Sequence, residues 1–117
     1  MVYGGEGATA RVLDALGDPT RRAVLELLRD GPRPVGEIAR DLPVSRPAVS
    51  QHLRVLKGAG LVHDRRVGTR RLYSVDTVGL SALRTYLETF WDSALSAFKE
   101  AADESGGMPP KDERGTG

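Results

Sequence analysis

The chain has 117 residues, 39% of them apolar, which bounds it to one modest globular domain with a single core. It contains no cysteine, so disulfides and thiolate metal sites are excluded. Residues 1–10 have neither the basic start nor the apolar run of a leader, and no stretch has the length and apolarity of a membrane span; a cytoplasmic protein with no membrane partner is the expectation. The net charge of +1 hides a strong asymmetry. Residues 1–45 sum to −1, 46–75 to +6, 76–104 to −4 and 105–117 to 0, so the excess positive charge is confined to one central segment. That is the electrostatic footprint a polyanion requires.

In chain order, residues 1–8 read as a flexible glycine-rich tail. From about Thr9 a short helix presents Val12, Leu13 and Leu16 on one side and ends at Gly17. Asp18 is then a good N-cap and Pro19 a good first helical residue for a second helix, whose Ala23, Val24, Leu27 and Leu28 form a core stripe. Arg21 and Arg22 are read as solvent-facing in preference to phosphate contacts. The run Gly31-Pro32-Arg33-Pro34 breaks this helix and leaves a short extended connection.

Residues 35–75 are the informative stretch. A helix carrying Ile38, Ala39 and Leu42 inward ends before Pro43. After about three residues, Ser45 caps a second helix with Pro47 in its first turn. Its Val49, Leu53 and Leu56 follow i, i+4, i+7 spacing, while Arg46, Ser50, Gln51 and Arg54 fall on the outward face. Two short helices so joined form a helix-turn-helix. Gly58 and Gly60 stop the second helix, and residues 61–67 and 70–75 flank Gly68-Thr69 as a β-hairpin, the wing. The fold class is therefore mainly α with a small β element: a winged helix-turn-helix that sets one helix into the major groove of DNA.

Residues 77–104 carry the longest helical pattern, with Leu80, Leu83, Leu87, Phe90, Ala94, Ala97 and Ala101 widened by Trp91, Leu95 and Phe98. So broad an apolar face exceeds what one small core can cover, and it predicts pairing with a second copy through Leu83, Leu87, Phe90, Trp91, Ala94 and Phe98, together with Leu13 and Leu16 of the first helix. Phe90, Trp91 and Phe98 are read as interface packing in preference to a site for a small apolar effector. Residues 105–117 read as a disordered tail. One domain, 9–104, lies between the two tails.

The segments ALGDPTRRAVLELL, VGEIARDLPVSRPAVSQHLRVLKGAGLV and RRVGTRRLYSV resemble the ArsR/SmtB family of bacterial winged-helix repressors over residues 9–104. The resemblance implies a homodimer built on the first and last helices, binding an inverted repeat in its own promoter and repressing transcription until a signal releases it. It also implies groove-facing roles for Arg46, Pro47, Ser50 and Gln51, with Ser45 at the helix start and Arg54 reaching phosphate. Arg66, Thr69, Arg70 and Arg71 match wing positions near the DNA backbone or minor groove. Two departures from the family pattern matter. Residues 35–40 hold no cysteine pair, and residues 77–104 hold no histidine, so soft-metal sensing by the family's known sites is not expected. The carboxylates at Glu88, Asp92, Glu100, Asp103 and Glu104 read as solvated, and no cofactor is expected.

His52 adjoins the apolar stripe and reads as a hydrogen-bonded packing residue, and His63 as exposed. No phosphate loop, nucleophile elbow or metalloprotease motif is present, which argues against an enzyme. The competing reading is a winged-helix protein-interaction module, which the +6 segment disfavours. The sequence names no operator, regulated gene or releasing signal.

Overall fold

A computed structural model of the protein describes residues 4–104. The elements run α1 (Gly4–Ala15), α2 (Pro19–Leu27), β1 (Arg33–Pro34), α3 (Val35–Arg40), α4 (Arg46–Gly58), β2 (Val62–Val67), β3 (Arg70–Val75) and α5 (Thr77–Glu104). By its internal contacts the chain divides into two units, one ending at Arg84 and the other beginning at Thr85. No helix among the described residues is long and apolar enough to cross a membrane.

Local chemistry accounts for most element ends. The Asp18 carboxylate accepts from the amides of Thr20 (2.7 Å) and Arg21 (3.2 Å), and the Ser45 hydroxyl accepts from the amide of Ala48 at 3.2 Å. The Arg21 and Thr20 amides, with the Arg21 charge behind them, hold the Asp18 carboxyl below its ordinary value against the opposing effect of desolvation. At the far end of α4, Leu61 donates to the carbonyl of Leu56 and Gly60 to that of Lys57, with Gly60 at φ +78°. This is a Schellman ending, and the buried Leu56 and Leu61 supply its apolar contact. Gly68 alone takes a positive φ (+65°) in the two-residue hairpin loop, the φ pattern of a type II′ turn.

The core of the first unit consists of Val12, Ala15, Val24, Leu28, Ile38, Val49, Leu53, Leu56, Leu61 and Val62. Among the described residues no polar or charged residue is buried with them. The α4 stripe is the part the periodicity predicts. On α1, however, the inward residues are Val12 and Ala15, while Leu13 is 43% exposed.

The structure departs from the sequence expectations in several places. The first helix begins at Gly4, so residues 4–8 are helical and not part of a tail, and Thr9 does not cap it. Extending a formed helix adds one hydrogen bond per residue ordered, and Ala8 and Ala10 favour that extension despite the glycines. Residues 1–3 and the expected tail at 105–117 lie outside the described residues. The connection at 31–34 contributes a third strand: β1 pairs antiparallel with β3, Arg33 opposite Tyr73 and Pro34 opposite Leu72, giving the order β1-β3-β2. The joint between α3 and α4 spans residues 41–45, longer than expected, because α3 stops at Arg40. Arg21 and Arg22 serve neither solvent nor phosphate alone. Arg21 donates to the carbonyls of Ala15 (2.7 Å) and Asp14 (3.3 Å), and Arg22 to that of Leu16 (2.6 Å). The two guanidiniums thus bond the carbonyls of Ala15 and Leu16 at the end of α1, and Arg21 adds to the bond that the Asp14 carbonyl accepts from the Gly17 amide, where a cation is also favoured by the helix dipole. His52 packs half-buried as expected, but its Nδ1 is buried without a protein hydrogen-bond partner.

Candidate nucleic-acid interface

On α4, Ser45, Arg46, Pro47, Gln51 and Arg54 are exposed and Ser50 is half-buried, opposite the buried Val49, Leu53 and Leu56. This is the arrangement a helix needs to seat one face on the core while the other enters a groove. The Arg46 guanidinium lies 3.7 Å from where a Cβ on Gly36 would stand, so it leans back over the start of α3. Arg54 donates to the Gln51 Oε1 one turn away, which orients the Gln51 amide.

The register of β2 with β3 divides the wing into two faces. Val62, Asp64 and Arg66 share one face with Val75, Tyr73 and Arg71 opposite them, while His63, Arg65 and Val67 share the other with Ser74, Leu72 and Arg70. Arg66 and Arg71 therefore stand directly opposite one another, a like-charge pair that would by itself weaken the hairpin. Asp64 answers it. Its side chain is only 5% exposed, accepting from Arg71 at 2.6 Å and pairing with Lys57 of α4 at 2.8 Å. The side-chain bond from Lys57, followed by that from Arg71, holds the Asp64 carboxyl below its ordinary value. One carboxylate thus joins the end of the recognition helix to both strands of the wing.

A second tie runs from the wing to the first helix of the pair. Arg70 reaches the Glu37 carboxylate at 3.4 Å, and next to it Arg33 of β1 pairs with Asp41 at 3.3 Å. The wing is thereby held by α3, α4 and β1 together. Thr69, Arg65 and Arg66 project exposed from it. His63 is exposed and stands 3.8 Å from Asp76. The four wing positions singled out from sequence are all exposed, and Arg70 and Arg71 also carry acidic partners. The sequence reading passed over Lys57, Glu37, Arg65 and above all Asp64. The signal for Asp64 was present: it is the single acidic residue in the +6 segment.

The comparisons with known proteins bear on this same region. Residues 18–64, from the α2 cap to Asp64, match the family described as "Bacterial regulatory protein, arsR family". The HTH-type transcriptional regulator Rv2034 of Mycobacterium tuberculosis is 59% identical over 96 residues, covering 82% of this chain and 90% of that protein. The chain belongs to the ArsR family. This ArsR-family chain is also 42% identical over 69 residues to the transcriptional repressor SdpR of Bacillus subtilis, covering 59% of the chain and 77% of that repressor. Among solved structures it resembles the homodimeric winged helix-turn-helix DNA-binding domain Mb0332 of Mycobacterium bovis, with TM-score 0.61 and 34% identity over 74% of this chain and 80% of that one. The family and these relatives are transcriptional regulators and not enzymes, and the ArsR-family chain shares their winged helix-turn-helix fold.

Of the dimer residues expected from sequence, Leu13, Leu87, Phe90, Trp91 and Phe98 are 43–64% exposed, and Ala94 is exposed as well. Leu16 and Leu83 differ: both pack in part against the core of the first unit. Their positions in the helical stripe do not distinguish a core contact from an outward one, because the stripe is wider than the core it meets.

Proposed function

We propose that this ArsR-family protein is a homodimeric repressor that binds an inverted-repeat operator in double-stranded DNA, its own promoter included. The observation that carries the reading is the exposed Arg46, Pro47, Gln51 and Arg54 face of α4 beside a basic wing that Asp64 ties to the same helix. Arg46 reads guanine and Gln51 reads adenine in the major groove, Ser45, Pro47 and Ser50 line the approach, and Arg54, Arg66, Thr69, Arg70 and Arg71 contact phosphate or the minor groove. Two such helices related by a two-fold axis stand about 34 Å apart, one turn of DNA. The exposed Phe90, Trp91 and Phe98 of α5, with Leu13 of α1, form the dimer contact that sets this spacing. A regulator of chromosomal promoters acts in the cytoplasm.

We propose also that release from DNA does not use the family's soft-metal sites, since the chain has no cysteine and α5 has no histidine.

The test is an anisotropy titration of the protein on the duplex upstream of its own gene and on random duplex, at two salt concentrations. Tight binding to the first fragment is expected, with a log-log salt slope of about −0.9 per phosphate neutralised. Equal, weak binding to both fragments would remove the autorepression claim. No binding at low salt would replace the whole reading with a protein-interaction module.

A further inference from the structure

The first unit contains a half-open cavity of about 460 Å³ that the DNA-binding reading does not use. Its apolar wall comes from Leu16 after α1, Leu25 of α2, Val75 at the end of β3 and Leu80 in the first turns of α5. Arg22, Glu26, Arg29 and Thr77 complete the lining. The volume falls within the range of about 300–1,000 Å³ typical of small-molecule sites.

We propose that this cavity binds an aliphatic carboxylate, the acyl chain against Leu16, Leu25, Val75 and Leu80 and the carboxylate against Arg22 and Arg29. The lining contains no aromatic ring, which favours a flexible alkyl chain over a stacked one. Two guanidiniums against one carboxylate leave a net positive charge at the site. Arg22 commits one nitrogen, Nη1, to the Leu16 carbonyl, and the remaining donors of its fork suit a carboxylate. Arg29 pairs with Glu26 at 3.2 Å, but the two side chains are 74% and 67% exposed. Such a pair contributes little, so its guanidinium is readily re-aimed. A ligand seated here touches the end of α1, the base of the wing and the start of α5, the junction from which an effector can act on the DNA-binding elements. The inference goes beyond the DNA-binding reading and is measured without DNA.

The experiment is calorimetric titration of the full chain with decanoate below its micelle concentration, alongside decanamide and decyltrimethylammonium. The expected result is one saturable site per chain, with decanamide weaker by about tenfold because a charge-assisted bond is lost. Arg29→Gln, at an exposed position, should weaken decanoate by about five- to tenfold and leave decanamide unchanged. Absence of saturable binding, equal binding of decanamide or the ammonium, or an unaltered Arg29→Gln variant would each overturn the proposal. So would decanoate binding seen only in a monomeric Phe90→Asp variant, which would identify a second copy of the chain as the natural occupant of the cavity.

Discussion

Asp64 illustrates how one residue sets the electrostatics of the wing. Left unpaired, Lys57, Arg66 and Arg71 would repel one another; the nearly buried carboxylate draws Lys57 and Arg71 together. Because these cations lower its pKa in the folded state, the unfolded chain binds the proton more readily. The contribution of Asp64 to stability is therefore complete above the unfolded value near pH 4 and is lost as pH falls through the lower folded value. In urea denaturation from pH 3 to 7, Asp64→Asn should lower stability at neutral pH, and the gap to wild type should close toward the acid end. A gap that is constant with pH would mean that packing, not charge, accounts for it. The proposed roles of Arg46 and Arg70 lead to different expectations. Arg46→Ala is expected to cost about 1–3 kcal/mol on the operator and to relax the preference at particular bases, whereas Arg70→Ala weakens all duplexes about equally. Competition titrations against operators with single-base changes separate the two; equal losses for Arg46→Ala on operator and random DNA would remove it from specificity.

At the scale of elements, the contact that places α5 against the turn after α4 is a pair of glycines. Gly79 is buried, and a Cβ there would stand 2.1 Å from the Gly60 carbonyl oxygen. That oxygen is backbone, in a turn fixed by the Schellman bonds and by the Asp76 amide donating to the Leu61 carbonyl at 2.8 Å. Nothing in such a contact can give way cheaply. Gly79→Ala is expected to destabilise the protein by about 3 kcal/mol in chemical denaturation. Gly58 is the control: it ends α4 with open space around it, so Gly58→Ala should be stabilising by about 0.5–1 kcal/mol. If both variants unfolded alike, the glycine contact would not be what holds the start of α5.

At the scale of the molecule, the large apolar side chains of α5 stand open in a single chain, with Phe90 61% and Trp91 64% exposed. Surfaces of this kind mark association. A charge placed among them in a dimer would be buried without a partner, so Phe90→Asp should yield monomers in sedimentation equilibrium. On the proposed inverted-repeat reading, operator affinity should fall with it. A Phe90→Asp protein that sediments as a dimer would move the interface elsewhere.

Features that depend on residues a few positions apart can be read from the order of the amino acids. The caps at Asp18 and Ser45, the Gly60 ending of α4 and the Gly68-Thr69 loop follow from local hydrogen bonding and backbone preference, and each was legible. So was the basic outward face of α4, since a 3.6-residue period assigns it once the apolar stripe is known. Which distant groups meet depends on the packing of the folded chain. The pairing of β1 with β3, the Arg21 and Arg22 bonds to the end of α1, the Asp64 ion cluster, the approach of Gly79 to Gly60 and the cavity beneath Arg22 and Arg29 all join segments whose separation along the chain carries no periodic signal. A charged side chain shows its sign in the sequence, but its partner is set by the strand register and helix packing that bring the two together.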